Sequence, residues 1–214
     1  GLFDFFCPDR IVIGADSQRA RQIIHNLYEP IVHGKVTWHQ DGQIHHSSNS
    51  VPVVDTDPAS AQMIKYASNA FLAARISFIN EIAGLSAKMG ADVKEVELGM
   101  GYDPRIGHAY LEAGLGFGGP CLEKDLRALL KLAEGNGYDP QLLKAVLERN
   151  EKQIGEVIAK VKQQVGDILY KKVIAVYGLA FKAGTNDVRN SLAVKVIERL
   201  EQEGAIVRAH DPVA

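Results

Sequence analysis

The stretch "DPASAQMIKYASNAFLAARISFINEIAGLSAKMG", residues 57–90, limits what this chain can become more than any other feature. After Pro58 it runs for about thirty residues without a proline. Asp57 has the chemistry of an N-cap, and Pro58 suits the first helical position, where its missing N–H costs nothing. Ile64, Ala67, Phe71, Phe78 and Ile82 recur at helical spacing and predict an apolar stripe. At the rise of an α-helix this segment runs about 40–45 Å. A small domain cannot cover that length alone, so the helix is expected to have a partner helix.

The texture differs on either side. Upstream, "RIVIG" (10–14) predicts a short buried strand. "DSQRARQIIHNLYEPIV" (16–32) predicts a helix capped by Asp16 or Ser17, with Pro30 near its end. "HGKVTWHQDGQIHHSSNSVPVVDTD" holds short strands and a polar loop in which His45 and His46 are expected to be solvated. Downstream, "DVKEVELGMG" and "DPRIGHAYLEAG" predict short helices, and "CLEKDLRALLKLAEGNG" predicts one closed by Gly135 and Gly137. "DPQLLKAVLERNEKQIGEVIAKVKQQVG" predicts a second long helix with another Asp-Pro start. "KKVIAVYGLAFK" then predicts a buried strand and a glycine turn. "SLAVKVIERLEQEGAIVRAHDP" predicts a helix, a glycine stop at Gly204 and another strand. The expected class is mixed. A central α-helical domain built on the long helix (58–165) is flanked by partial α/β domains at 1–57 and 170–214.

Lys and Arg number 24 against 26 Asp and Glu, a formal net charge of -2, which predicts no general affinity for nucleic acid or an anionic membrane. The apolar runs are short, and no transmembrane helix is expected. "GLFDFF" lacks the basic region and apolar core of a signal peptide. Two cysteines without paired spacing fit a reducing cytoplasm. The chain opens in mid-pattern without a Met and is expected to be an excised piece of something longer.

The chemistry concentrates in "GLGFGGPCLEKD". Gly114, Gly116 and Gly119 satisfy G-x-G-x-x-G in form. The preceding "HAYLEA" does not read as a strand, so the dinucleotide fingerprint is rejected. The glycines instead let backbone amides approach a ligand. Cys121 is expected in the first turn of the following helix, where unpaired amides and the dipole favour a thiolate. Asp125, four residues on, shares its face, while Lys124 points elsewhere. A thiol beside a carboxylate is a candidate for covalent catalysis with proton transfer. The plainer alternative is a small buried apolar cysteine, the reading given to Cys7. On the long helix Lys65 and Asn69 stand at i, i+4. In "YGLAFKAGTNDVRNS" the cations Lys182 and Arg189, with free amides at the mouth of a strand-to-helix turn, suit a phosphate. No grouping has metal-ligand spacing, and Ser191 lacks the setting of a catalytic triad.

Taken in order, "PDRIVIG", "MIKYASNAFLAARISFINEIA", "YDPRIGHAYLEAGLGFGGPCLEKD" and "YGLAFKAGTNDVRNS" resemble the UDP-glucose/GDP-mannose dehydrogenase family. The four segments cover most of the chain in the family's order, which is more specific than any one of them. The resemblance implies oxidation of the C6 alcohol of a nucleotide sugar to a carboxylate, with two NAD reduced. A cysteine attacks the intermediate aldehyde, the thiohemiacetal becomes a thioester, and water releases the acid. By resemblance Cys121 is that nucleophile and Lys65 stabilises the developing oxyanion. Asn69 and Asp125 hold and activate the water and the sugar oxygen. Backbone at Gly116, Phe117 and Gly118 lines the sugar pocket, and Tyr110 and Lys182 contact the nucleotide sugar. Arg105 reaches the partner subunit's site, since the family dimerises through its central helical domain. Lys124 and Arg189 fall on the NAD side. The "RIG" form of the segment favours the UDP-glucose branch over the GDP-mannose and UDP-N-acetylhexosamine branches.

The sequence departs from the family pattern at three positions. Glu123 replaces a proline, Pro120 replaces a small polar residue, and Asn186 stands where an Asp is usual. These bear on substrate preference rather than on the chemistry. The family's glycine fingerprint for NAD, and a segment with a catalytic glutamate, are expected upstream of Gly1. The 214-residue chain alone is therefore expected not to turn over. A non-catalytic dimerisation module is the competing reading, and an unrelated thiol hydrolase is a third.

Overall fold

The computed structural model describes residues 2–40, 42–47 and 49–214. The chain divides into two compact units, Gly1–Ala67 and Ser68–Ala214.

In the first unit a short helix α1 (Leu2–Phe6) precedes β1 (Ile11–Gly14), α2 (Gln18–Val32), the hairpin β2 (Thr37–Gln40) and β3 (Gln43–His46), and β4 (Val53–Thr56). β1 pairs in parallel with β4, Ile11 against Val53 through Gly14 against Thr56. α2 is the crossover that such a parallel pairing needs. Ser17 is its N-cap, accepting the Ala20 N–H at 3.3 Å, and Pro30 sits inside its last turn. The strand expected to be buried is only part-covered: Ile13 is buried and Gly14 exposed. His45 is not solvated as expected. It stacks on the buried Trp38 across the hairpin, 5.3 Å between ring centroids, and Phe6 stacks on the same indole at 5.2 Å. His46 is exposed. Asp41 and Ser48, in the expected polar loop, lie outside the described residues.

α3 (Pro58–Met89) is one helix of 32 residues, about 48 Å long. The Asp57 carboxylate accepts the Ser60 N–H at 2.9 Å and so caps its start. By length and composition alone it would also suffice to cross a membrane, in contrast to the expectation from short apolar runs. The expected apolar stripe does not face inward. Phe71 and Phe78 are 63% and 50% exposed, whereas Ala70, Ala73, Ser77, Ile79 and Asn80 are buried. Small residues let another helix approach closely: the Ser77 hydroxyl donates to the Val146 carbonyl at 2.9 Å.

α4 (Val93–Gly101) is capped by Asp92, whose side chain accepts the Lys94 N–H at 2.8 Å. The helix expected over "DPRIGHAYLEAG" is absent, and residues 103–114 run as turns. Arg75 of α3 explains this. Its guanidinium donates to the Ile106 and Gly107 carbonyls, both at 2.8 Å, and so takes acceptors that a helix would use internally. Gly107 and Tyr110 have φ of 69° and 60°, which break any helical run.

α5 (Leu122–Gly135) and α6 (Gln141–Val165) complete the helical part. Leu126 of α5 and Val146 and Leu147 of α6 bury against Ala70, Ala73 and Phe117. Farther along, α6 buries Ile158 in a second core with Leu169, Val196, Leu200 and Ala205. One helix therefore belongs to both cores. The second core sits under β5 (Val173–Tyr177), α7 (Leu192–Gln202) and β6 (Ile206–His210). β5 and β6 pair in parallel, Val173 against Ile206 through Tyr177 against His210, as the predicted strand–helix–strand unit requires. β5 is half-open rather than buried: Ile174 and Val176 face the core, while Val173 and Tyr177 are exposed.

Candidate active site

The glycine loop at residues 114–119 has no strand before it and is held from below by buried polar side chains. The Gly114 N–H donates to Asn80 of α3 at 2.9 Å, and the Gly114 carbonyl accepts from the Gln153 amide of α6 at 2.6 Å. Gln153 also donates to Asn80 at 3.0 Å. Asn150, one turn earlier on α6, grips Phe117 at both ends of its peptide. It accepts the N–H at 2.8 Å and donates to the carbonyl at 2.9 Å. Gly116 has φ of 106°, and a Cβ there would collide with the Asn150 oxygen. The Phe117 ring is itself in the core. Phe117 thus anchors the loop, with its polar backbone groups already engaged. Asn80, Asn150 and Gln153 went unnoticed in the sequence. Asn150 and Gln153 stand at i, i+3 on α6, but nothing local says that this face meets the loop.

The loop delivers Cys121 to the N-cap of α5, one position before the expected first turn. The thiol is free and exposed, and its side chain makes no capping bond. The Cys121 carbonyl accepts the Asp125 N–H at 2.9 Å, the first backbone bond of α5, which sets Asp125 one helical turn after the cysteine. Asp125 is 2% exposed. Its carboxylate accepts the Asn69 amide of α3 at 2.6 Å, which brings together two residues 56 apart in sequence. Lys124 does not point away: its ammonium lies 3.5 Å from the Asp125 carboxylate. Lys65 stands one turn ahead of Asn69 on α3, on its exposed side.

Two domain models of one family match this chain. The UDP-glucose/GDP-mannose dehydrogenase central domain matches residues 59–152, and the family's UDP binding domain matches residues 175–214. The chain belongs to the UDP-glucose/GDP-mannose dehydrogenase family. UDP-glucose 6-dehydrogenase TuaD of Bacillus subtilis is 45% identical over 213 residues, all of this chain and 42% of that protein. Among solved structures, a UDP-glucose dehydrogenase from Pyrobaculum islandicum is 39% identical with a TM-score of 0.88, over all of this chain and 45% of its own. A UDP-D-ManNAc dehydrogenase from Pyrococcus horikoshii is 27% identical with a TM-score of 0.80, over 99% of this chain and 46% of its own. The chain thus spans less than half the length of the relatives it matches.

The remaining candidates of this family member are spread around the loop. Tyr110, with Gly116, Ile76 and His108, lines a cavity of about 480 Å³. A second cavity of about 600 Å³ opens beside the cysteine turn, between Pro120, Glu123, Lys124, Arg127 and Asn190. A larger one, about 670 Å³, lies between α3 and α6 near Arg149 and Glu156, away from the thiol and from Asp125. Arg189 is paired with Asp187 at 2.6 Å. Those hydrogen bonds hold the guanidinium above its ordinary range, and Cys121 is near enough to add a weaker electrostatic contribution. Lys182 extends over the Phe181 ring, 5.8 Å from its centroid, and Arg105 is exposed and paired with Asp103 at 2.6 Å.

The turn after β5 is not a free-amide cradle. Asp211, just past β6, accepts the Leu179 and Ala180 N–H groups at 2.6 and 3.1 Å, and those of Val213 and Ala214 at 2.9 Å each. What that turn leaves open is Gly178, at φ 89° with empty space where a Cβ would stand. For NAD the fit is poorer. At the β1–α2 turn the Cβ position of Gly14 is filled by Ala61 Cβ at 2.6 Å and Pro58 Cα at 2.9 Å, too close for a pyrophosphate. The β1–α2 turn therefore offers no dinucleotide cradle.

Proposed function

We propose that the protein carrying this chain oxidises the C6 hydroxyl of UDP-glucose to the carboxylate, with Cys121 as the nucleophile at the aldehyde stage. The observation that carries this reading is the exposed thiol on a loop pinned by buried amides, one helical turn from the Asn69–Asp125 pair. The two oxidations are assigned to NAD, the acceptor implied by the family. This chain's own part is the sulfur chemistry. The thiolate adds to the C6 carbonyl carbon, forming a C–S bond and an alkoxide. At the thioester stage water adds to the same carbon, the C–S bond breaks, the acid departs and the thiol regains its proton. The Lys65 ammonium offsets the oxyanion of both additions. Asn69 fixes the Asp125 carboxylate, which accepts the water's proton. Gly116, Gly118, Tyr110 and Lys182 contact the nucleotide sugar, Arg105 serves a neighbouring subunit's site, and Lys124 and Arg189 take the NAD side.

Three domains, 1–57, 58–165 and 170–214, fit this division of labour. The protein assembles as a homodimer through α3, whose exposed Phe71, Phe78 and Leu85 recur every seven residues along one face. Two free cysteines suit the cytoplasm.

The test is NADH absorbance with UDP-glucose on the full-length protein. Wild type is expected to reduce NAD, and Cys121→Ser to lose at least ~10³-fold in kcat. Turnover of GDP-mannose or a UDP-N-acetylhexosamine instead of UDP-glucose would reassign the substrate. An undiminished Cys121→Ser would remove the thiol from the mechanism.

A further inference from the structure

Glu123 makes more connections than a surface acid on a helix needs. Its carboxylate accepts the Asn190 amide at 2.8 Å and the Arg127 Nε at 2.9 Å, and Lys195 of α7 lies 3.6 Å away. Arg127 continues to Glu151 of α6 at 2.8 Å. One carboxylate on the first turn of α5 is therefore tied to α6, to α7 and to the loop that enters α7. Burial works against its ionisation, yet the bonds from Asn190 and Arg127 and the charge of Lys195 hold it below the usual carboxylate range.

Asn190 is the hinge of this arrangement. It has φ of 52°, uncommon for a residue with a side chain. Its carbonyl accepts the Gly119 N–H at 3.1 Å, and its amide lies 3.3 Å from the Gly119 carbonyl as well as on Glu123. The approach is close enough to demand glycine twice. A Cβ on Gly118 would stand 2.6 Å from the Asn190 carbonyl oxygen, and one on Gly119 2.5 Å from the Phe181 ring. The next two residues are Pro120 and Cys121.

We propose that Glu123 is a positioning residue: by gripping Asn190 it clamps the turn Gly119–Pro120–Cys121 onto the loop entering α7, and so fixes where the thiol stands. The functional meaning rests on reading Cys121 as the nucleophile, but the clamp can be tested without turnover.

Hydrogen exchange at the Gly119 amide, and the alkylation rate of Cys121 with Cys7 as internal reference, are measured for wild type, Glu123→Ala, Glu123→Gln and Asn190→Gly. Glu123→Ala should expose the Gly119 amide about tenfold more, the scale of one lost hydrogen bond, and change the Cys121 rate several-fold with Cys7 unmoved. Glu123→Gln keeps an acceptor for Asn190 and should restore most of both readouts. Asn190→Gly accepts the positive φ, releases the clamp from the other side and should match Glu123→Ala. It also serves if the α5 variant does not fold. Unchanged Gly119 protection and Cys121 rate in Glu123→Ala and Asn190→Gly, or no rescue by Glu123→Gln, would overturn the proposal. A failure of the dehydrogenase reading would appear instead as no UDP-glucose turnover by the full-length wild type, with both local readouts unaffected.

Discussion

Asp211 sets the turn after β5 with a single carboxylate. Four backbone N–H groups converge on it, led by that of Leu179, and hold its carboxyl far below the usual carboxylate range. A depressed folded-state value means that its stabilisation is fully present above the ordinary carboxylate range and is lost only as pH falls through the lowered value. Carboxyl-carbon NMR should therefore show Asp211 still ionised at a pH where an ordinary aspartate is mostly protonated, with the Leu179 and Ala180 amides still protected. An ordinary titration midpoint would contradict the four-amide geometry. At this scale the sequence was partly legible. The placing of Asp125 one helical turn after Cys121 follows from i, i+4 spacing alone. The Asn69–Asp125 bond and the capture of two turn amides by Asp211 do not, because each joins residues more than thirty positions apart.

Two elements behaved differently from their local sequence for physical reasons that lie elsewhere in the chain. Residues 103–114 have a helix-compatible pattern, yet the Arg75 guanidinium takes two of their carbonyls and the backbone turns instead. α3 shows an apolar stripe through Phe71 and Phe78, yet Ala70, Ala73 and Ser77 face inward, because close packing on α6 favours small side chains. The helices α2, α3, α5, α6 and α7, the N-caps at Ser17 and Asp57 and the strand–helix–strand unit of β5, α7 and β6 were readable from pattern. α6 carries a further test. Asn150→Ala would leave the Phe117 N–H and carbonyl buried without partners, each costing about 1–3 kcal/mol. Urea denaturation should show the loss, and the loop leading to Cys121 should exchange faster. A midpoint within error of wild type would mean that the loop does not depend on that amide.

For the molecule as a whole, the exposed apolar face of α3 is the feature that a single chain leaves unexplained. Phe71, Phe78 and Leu85 lie 63%, 50% and 53% open, and a dimer would cover them. Light scattering after size exclusion should give twice the chain mass for wild type and one chain mass for Phe71→Asp/Phe78→Asp, with helical content kept. A monomeric wild type would refute the assembly. The chain matches two domain models of one family and spans less than half the length of the relatives it matches.

The central claim is that Cys121 stands in a site for a nucleotide sugar. The most direct measurement is its alkylation rate by peptide mass spectrometry, with and without UDP-glucose, on the full-length protein, with Cys7 as the internal reference. UDP-glucose is expected to slow modification of Cys121 and to leave Cys7 unchanged. Equal rates at Cys121 with and without the sugar nucleotide, at concentrations where it is shown to bind, would contradict it.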